Sequence, residues 1–224
     1  MSRATILARI KEALSVPTDP HVRHGGAQPT APEEYRAFLP AVPAAPADQV
    51  ALFAERAANL RVGFHAVPDA AAAHAVLREL AAQHGWQRVA SHADALATPA
   101  CAALGLQTML TTRGYDRDAL EACDVGITGC EALIAQTGSV LVTSRSSGGR
   151  ALTCLPPHHV VLASADQLIA DLPGGYALLR AKYGNDWPTF MGLISGPSRT
   201  GDIERILVLG AHGPKQLTVI MTAW

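Results

Sequence analysis

Cysteine is scarce and scattered in this chain. Its 224 residues contain four, Cys101, Cys123, Cys130 and Cys154. None falls in a Cys-x-x-Cys pair, so neither an iron–sulfur run nor a zinc ribbon can be written on the sequence. The unpaired thiols read as small buried apolar groups. Paired histidines at helical spacing and carboxylate clusters are also missing, and no metal site is expected. The formal charge is −1 and no long Lys/Arg run exists, which removes the electrostatic footprint of a nucleic-acid binder. No apolar stretch is long enough to span a bilayer. Met1 to Leu14 carries charges throughout instead of an apolar signal core, so the expectation is a soluble, cytoplasmic chain with no membrane partner. Gly-x-x-x-x-Gly-Lys and Gly-x-Gly-x-x-Gly are absent, which leaves both nucleotide-binding classes without their diagnostic motif.

What the chain does have is a hydrophobic fraction of 49%, enough for one large core plus an appendage. The appendage is read as residues 1–47. Ile6, Leu7, Ile10 and Leu14 recur at helical spacing, and prolines at 17, 20, 29, 32, 40, 43 and 46 then rule out regular helix or central strand. Tyr35, Phe38 and Leu39 give this arm apolar anchors, so it is expected to dock on a surface, its own or a neighbour's. An isolated helix of this length is marginal in water, and assembly is the expected role of the segment.

Residues 48–224 read as an α/β domain with a mainly parallel central sheet and helices on both faces. A helix is expected over Asp48–Arg61 and a strand over Val62–Val67. A helix capped by Asp69 and stopped by Gly85 follows, then a strand at Gln87–Ala90. The pattern repeats with a helix near Ala93, a strand at Gln107–Thr111 and a helix at Asp116–Ala122, and such alternation implies βαβ crossovers. Beyond it, Cys123–Thr128, Ser139–Thr143, His159–Ala163, Phe190–Ile194, Arg205–Leu209 and Leu217–Met221 are apolar runs of the kind found in strands buried on both faces. A covering helix is expected over Gln167–Tyr183, broken or kinked at Pro173.

Ligands of open α/β sheets bind in loops at the carboxyl ends of strands, and three loops qualify. Gly129 to Gly138 reads as a turn at Gly129, a two-turn helix whose first amides would face an anion, and a Thr137-Gly138 return; an ordinary tight turn explains the glycines equally well. In Ser144 to Arg150, Ser146, Gly148 and Gly149 suit close backbone approach, and Arg150 suits a phosphate or carboxylate. The competing reading is a solvated Ser/Gly tip. In Ser195 to Asp202, with the following turn, Ser198, Arg199, Thr200, Asp202 and His212 gather between glycine turns. A capped helical turn with Arg199 paired to Asp202 is the alternative. Arg150 and Arg199 are expected to converge on one anion. His158 and His159 are adjacent in a strand and must face opposite ways.

The second half resembles the lactate-utilisation protein C family (LutC/YkgG, LUD-domain). The resemblance rests on Gly126-Ile-Thr128, Thr137-Gly138, Gly149-Arg150, Leu155-Pro156 with His159, Ser195–Asp202 with Glu204, and Leu209-Gly with His212-Gly-Pro214. It implies a fold like the NagB/RpiA/CoA-transferase group. It also implies a place in a cytoplasmic system oxidising L-lactate to pyruvate, beside LutA-like and LutB-like iron–sulfur proteins encoded alongside. The iron–sulfur clusters would then belong to those partners, and this chain alone would bind no cofactor. Gln136 departs from the Glu that such proteins carry before Thr-Gly. A carboxamide cannot form the acyl anhydride that related CoA transferases make, which puts a transferase step there in doubt. Glu131 and His159 remain as weak catalytic candidates. The leading reading is an anion-binding accessory subunit. The alternatives are a stand-alone enzyme on a CoA ester, sugar phosphate or folate-like anion, and an interaction module acting through the proline-rich arm; a homo-oligomer is left open.

Overall fold

The computed structural model describes residues 3–15, 40–200, 208–210 and 212–223. The first of these segments is a helix by itself, α1 (Arg3–Ser15), with Ile6, Leu7 and Ile10 exposed on it. The expected arm lies mostly outside the described residues. A compact unit runs from Pro40 onward, eight residues before the boundary drawn from the sequence, because Pro40 is tied into it: the Gln136 side-chain amide donates to its carbonyl at 2.9 Å.

Helix α2 (Pro46–Asn59) opens this unit with Pro46 in its first turn, where a missing N–H costs nothing. The expected alternation follows as β1 (Gly63–Val67), α3 (Ala70–His84), β2 (Arg88–Ser91), α4 (Ala97–Leu104), β3 (Gln107–Leu110), α5 (Arg117–Glu121) and β4 (Val125–Thr128). Its local signals work as the residues suggest. The Asp69 carboxylate accepts from Ala72 N, and Gly85 closes α3 in the left-handed region.

The order then departs from simple alternation: β5 (Ala132–Ile134), β6 (Ser139–Thr143), α6 (Arg150–Cys154), β7 (His158–Ser164), β8 (Leu168–Ile169), α7 (Leu172–Tyr183), β9 (Met191–Ile194), β10 (Arg199–Thr200), β11 (Val208–Leu209) and β12 (Gln216–Thr222). Six strands form one parallel sheet in the order β1-β12-β7-β4-β2-β3, while β8-β5-β6-β9 make a second, mixed sheet. The apolar runs at 139–143 and 190–194 therefore belong to this second layer and not to the central sheet. A buried run is equally compatible with either sheet, since burial on both faces is all it records.

Four layers result. Leu77, Ala97 and Ala100 of α3 and α4 meet Val89, Ile127, Val160 and Ile220 on one face of the parallel sheet. Phe53 of α2 and Leu133, Val140 and Val142 of the second sheet meet Val161, Val219 and Met221 on the other. The far side of the second sheet, Ala132, Ile134 and Leu141, is covered by Leu179 and Tyr183 of α7.

Two expected helices are corrected. Residues 129–138 form no helix: Glu131 N donates to Leu141 O at 2.8 Å and β5 pairs antiparallel with β6. Four apolar residues are too few for periodicity to separate a turn of helix from a strand. The helix expected at Gln167 begins at Leu172, and Pro173 starts it without kinking it; Asp171 caps it by accepting from Gly174 N.

Candidate functional site

In the parallel sheet, neighbouring strands β2 and β4 send the chain to opposite faces, β2 toward α4 and β4 toward the second sheet. Ligands of open α/β sheets bind where adjacent strands diverge in this way, at their carboxyl ends. The residues that follow β2 are His92, Ala93 and Asp94; those that follow β4 are Gly129 and Cys130. Asp94 Oδ1 accepts from the backbone of Leu96 and Ala97 at 2.8 and 2.9 Å, which caps α4. Its other oxygen lies so near Gly129 that a Cβ there would come within 2.9 Å. Only glycine leaves the carboxylate in place.

The loop between β6 and α6 packs over this switch point. Gly148 and Gly149 have φ of +66° and +106°, values that L side chains rarely adopt. A Cβ on Gly148 would approach His92 Cβ to 2.6 Å, so bare backbone rests on the imidazole. The serines are used within the loop. Ser146 Oγ accepts from Thr143 N at 2.9 Å, and Ser147 Oγ donates to Thr143 O at 2.7 Å. This self-bonding makes the loop a folded turn leading into α6, and neither the solvated tip nor a set of free serine donors describes it. Arg150, at the start of α6, is exposed, with no side-chain partner among the described residues.

Glu131, three residues beyond β4, has its side chain wholly buried. It accepts from Thr143 Oγ1 at 2.6 Å, from Tyr183 OH, and from Lys182 Nζ at 2.7 Å. Burial pushes its pKa up, but the Lys182 ammonium and the two hydroxyls outweigh that and bring it below the usual carboxylate value. It is thus ionised and fully engaged, a clamp joining the β4–β5 connection to β6 and α7. It cannot serve as a general acid.

His159 is 1% exposed, with Nε2 bonded to Thr128 Oγ1 at 2.9 Å, and burial lowers its pKa to about 3. His158 points away from it, to Thr218 Oγ1 at 2.9 Å and against the rings of His84 and Trp86. Both are neutral core histidines, so His159 is set aside as a catalytic candidate.

The third loop lies at the opposite end of the sheet. Ser198 N donates to Pro214 O and Lys215 N to Pro157 O, next to the first residues of β12 and β7. The Arg199 guanidinium donates to the carbonyl of Leu60, ahead of β1. All six strands run the same way, so Arg199 sits at their amino ends while Gly129, Gly148 and Arg150 sit at the carboxyl ends. The two arginines do not converge. His212 is exposed at the amino edge; Thr200 contributes backbone pairing in β10, and Asp202 lies outside the described residues. Thr137 and Gln136 pack at the β5–β6 turn. Gln136 is 6% exposed and held by Pro40, so it is also out of reach of an acyl group.

Sequence reasoning missed His92 and Asp94. The signal was available: Ser91-His-Ala-Asp94 directly follows a predicted strand, where the carboxyl-end rule applies.

These features define an α/β domain whose β6–α6 loop packs over the topological switch point between β2 and β4. The chain belongs to the LUD-domain family, whose model matches residues 50–222. It is 34% identical over 103 residues to lactate utilization protein C of Deinococcus radiodurans, 46% of this chain and 48% of that one. It is 32% identical over 111 residues to lactate utilization protein C of Anoxybacillus flavithermus, 49% of each chain. An uncharacterized protein of Neisseria meningitidis is 31% identical over 148 residues, 65% of this chain and 59% of its own. The chain thus spans about half the length of the first two. The crystal structure of a DUF162 family protein from Deinococcus radiodurans superposes with a TM-score of 0.64 at 22% identity, covering 80% of this chain and 99% of that one, and shares the fold.

Proposed function

We propose that this protein is a component of a cytoplasmic L-lactate utilisation system, an anion-binding subunit that acts beside iron–sulfur partner proteins in the oxidation of lactate to pyruvate. The names of its relatives support the pathway. The anion reading rests on one observation: at the switch point, a roof of bare glycine backbone is followed by Arg150, exposed and unpaired among the described residues. A guanidinium with no carboxylate partner, beside backbone that no side chain shields, is suited to a small carboxylate or phosphate. An acyl-transfer enzyme is the weaker reading, because Gln136 offers no nucleophile.

Titrating the protein with L-lactate, pyruvate and inorganic phosphate, with and without Arg150→Ala, tests the anion site. At least one should bind, and the variant should weaken it about tenfold or more. Deleting the gene should abolish growth on L-lactate, and pull-down of the tagged chain should recover proteins with visible iron–sulfur absorption. Normal growth on L-lactate after deletion would refute the pathway.

A further inference from the structure

The parallel sheet carries a cavity of about 150 Å³ at the carboxyl ends of β7 and β12, on the face covered by α3 and α4. Ala70 and Ala73 of α3, Leu96 and Ala100 at α4, Leu162 of β7 and Thr222 of β12 line it, and none of its walls belongs to the β6–α6 loop. The alanines make the gap. One turn further along α3, Leu77 is fully buried in the same interlayer, whereas at 70, 73 and 100 the helices offer only methyl groups. Small-molecule sites usually enclose about 300–1,000 Å³, and an apolar cavity of about 150 Å³ holds a single benzene-sized ring. Water suits it poorly, since a trapped molecule needs two or more polar partners and the Thr222 hydroxyl already donates to Ala163 O at 3.3 Å.

The occupant follows from the register of β12. Leu217, Val219 and Met221 face the second sheet, and Ile220 faces α3 and α4, as does Thr222 in the cavity wall. Ala223 N donates to Val67 O at 2.9 Å, so pairing with β1 continues past Thr222. Side chains alternate along a strand, which assigns residue 224 to the cavity face, about 7 Å beyond Thr222. That residue is Trp224, outside the described residues. We propose that the Trp224 indole is the ring that fills this cavity, so that the chain closes the gap between α3 and α4 with its own side chain and denies it to other aromatic groups. A tethered ring is present at far higher effective concentration than a free one. His74 in the cavity wall is a partner for the indole N–H.

In the full wild-type chain, nuclear Overhauser contacts should join the Trp224 ring to the methyl groups of Leu96 and Leu162 and should persist on dilution, a readout that needs no variant. Trp224→Ala should open the cavity. Indole, used as the probe, should bind that variant at least about tenfold more tightly than wild type, because a site closed about nine-tenths of the time loses that factor in apparent affinity. In a Trp187→Phe background, which removes the half-exposed indole at 187, acrylamide should quench little of the remaining emission, since Trp86 is buried and Trp224 would be covered. Equal indole binding by wild type and Trp224→Ala, strong quenching in the Trp187→Phe protein, or absence of the contacts to Leu96 and Leu162 would overturn the proposal. Contacts that vanish on dilution would also overturn it, by placing the ring in a second copy of the chain.

Discussion

Acidification should destabilise this domain well before its carboxylates begin to protonate, and the two adjacent histidines of β7 are the cause. His158 and His159 have pKa values lowered by burial from 6.5 to about 4 and about 3. In the unfolded chain both return to the ordinary value. Above pH 6.5 neither state is protonated and stability is unaffected. As the pH falls below that, the unfolded chain takes up two protons that the native protein refuses, and each histidine costs about 1.4 kcal/mol per pH unit. Between pH 7 and pH 5 this amounts to about 2 kcal/mol for each, or about 4 kcal/mol together, a large fraction of a typical domain's stability. His92, also held low by burial, acts in the same direction. The Glu131 carboxylate, with its pKa below the usual value, contributes stability that is lost only at still lower pH, outside this window. Urea unfolding at the two pH values measures the effect. His158→Gln and His159→Gln, which do not titrate, should each remove about 2 kcal/mol of the difference between pH 7 and pH 5. If the single variants keep the full wild-type dependence, or if the His159 ring resonances titrate near pH 6.5 in the native protein, the reasoning is wrong.

Gly148→Ala should destabilise the domain by about 1–3 kcal/mol, because the new Cβ meets His92 at a left-handed φ; thermal melting reads the loss, and an unchanged melting temperature would show that the loop does not press on the ring. Glu131→Ala should cost about 2–3 kcal/mol by stranding the Thr143 and Tyr183 hydroxyls, with the half-exposed Lys182 adding little, as chemical denaturation would show. A chain beginning at Pro40 should melt as cooperatively as the full protein, whereas one beginning at Asp48 loses the Gln136 partner and the first turn of α2 and should melt lower. Equal melting of the two truncations would place the domain boundary at 48.

Local chemistry carried much of the fold. Asp69 and Gly85 bound a helix because the cap and the left-handed stop need only neighbouring backbone, and the spacing of apolar residues from 48 to 122 describes the helix and strand alternation because each element buries one face. The carboxyl-end rule directs attention to strand ends, Ser91–Asp94 among them, yet the choice of the β2 and β4 ends as the switch point needed their adjacency. Those two strands are separated in the chain by α4, β3 and α5.

The motifs carried by Gly126, Thr137, Gly149, Arg150, Ser198, Arg199 and His212 were legible as sequence, and with them the family. Their arrangement was not. Whether 139–143 joins the parallel sheet or a second layer, whether Arg150 and Arg199 face one ligand or opposite ends of the domain, and whether Glu131 is free or clamped all depend on contacts between residues far apart in the chain. The sequence by itself determined the elements that rest on hydrogen bonds and side chains within a few residues. Only the tertiary structure decided which strand ends meet, since strand order is set by the burial of whole faces against one another, and with it which histidine, His92 and not His159, stands at the switch point.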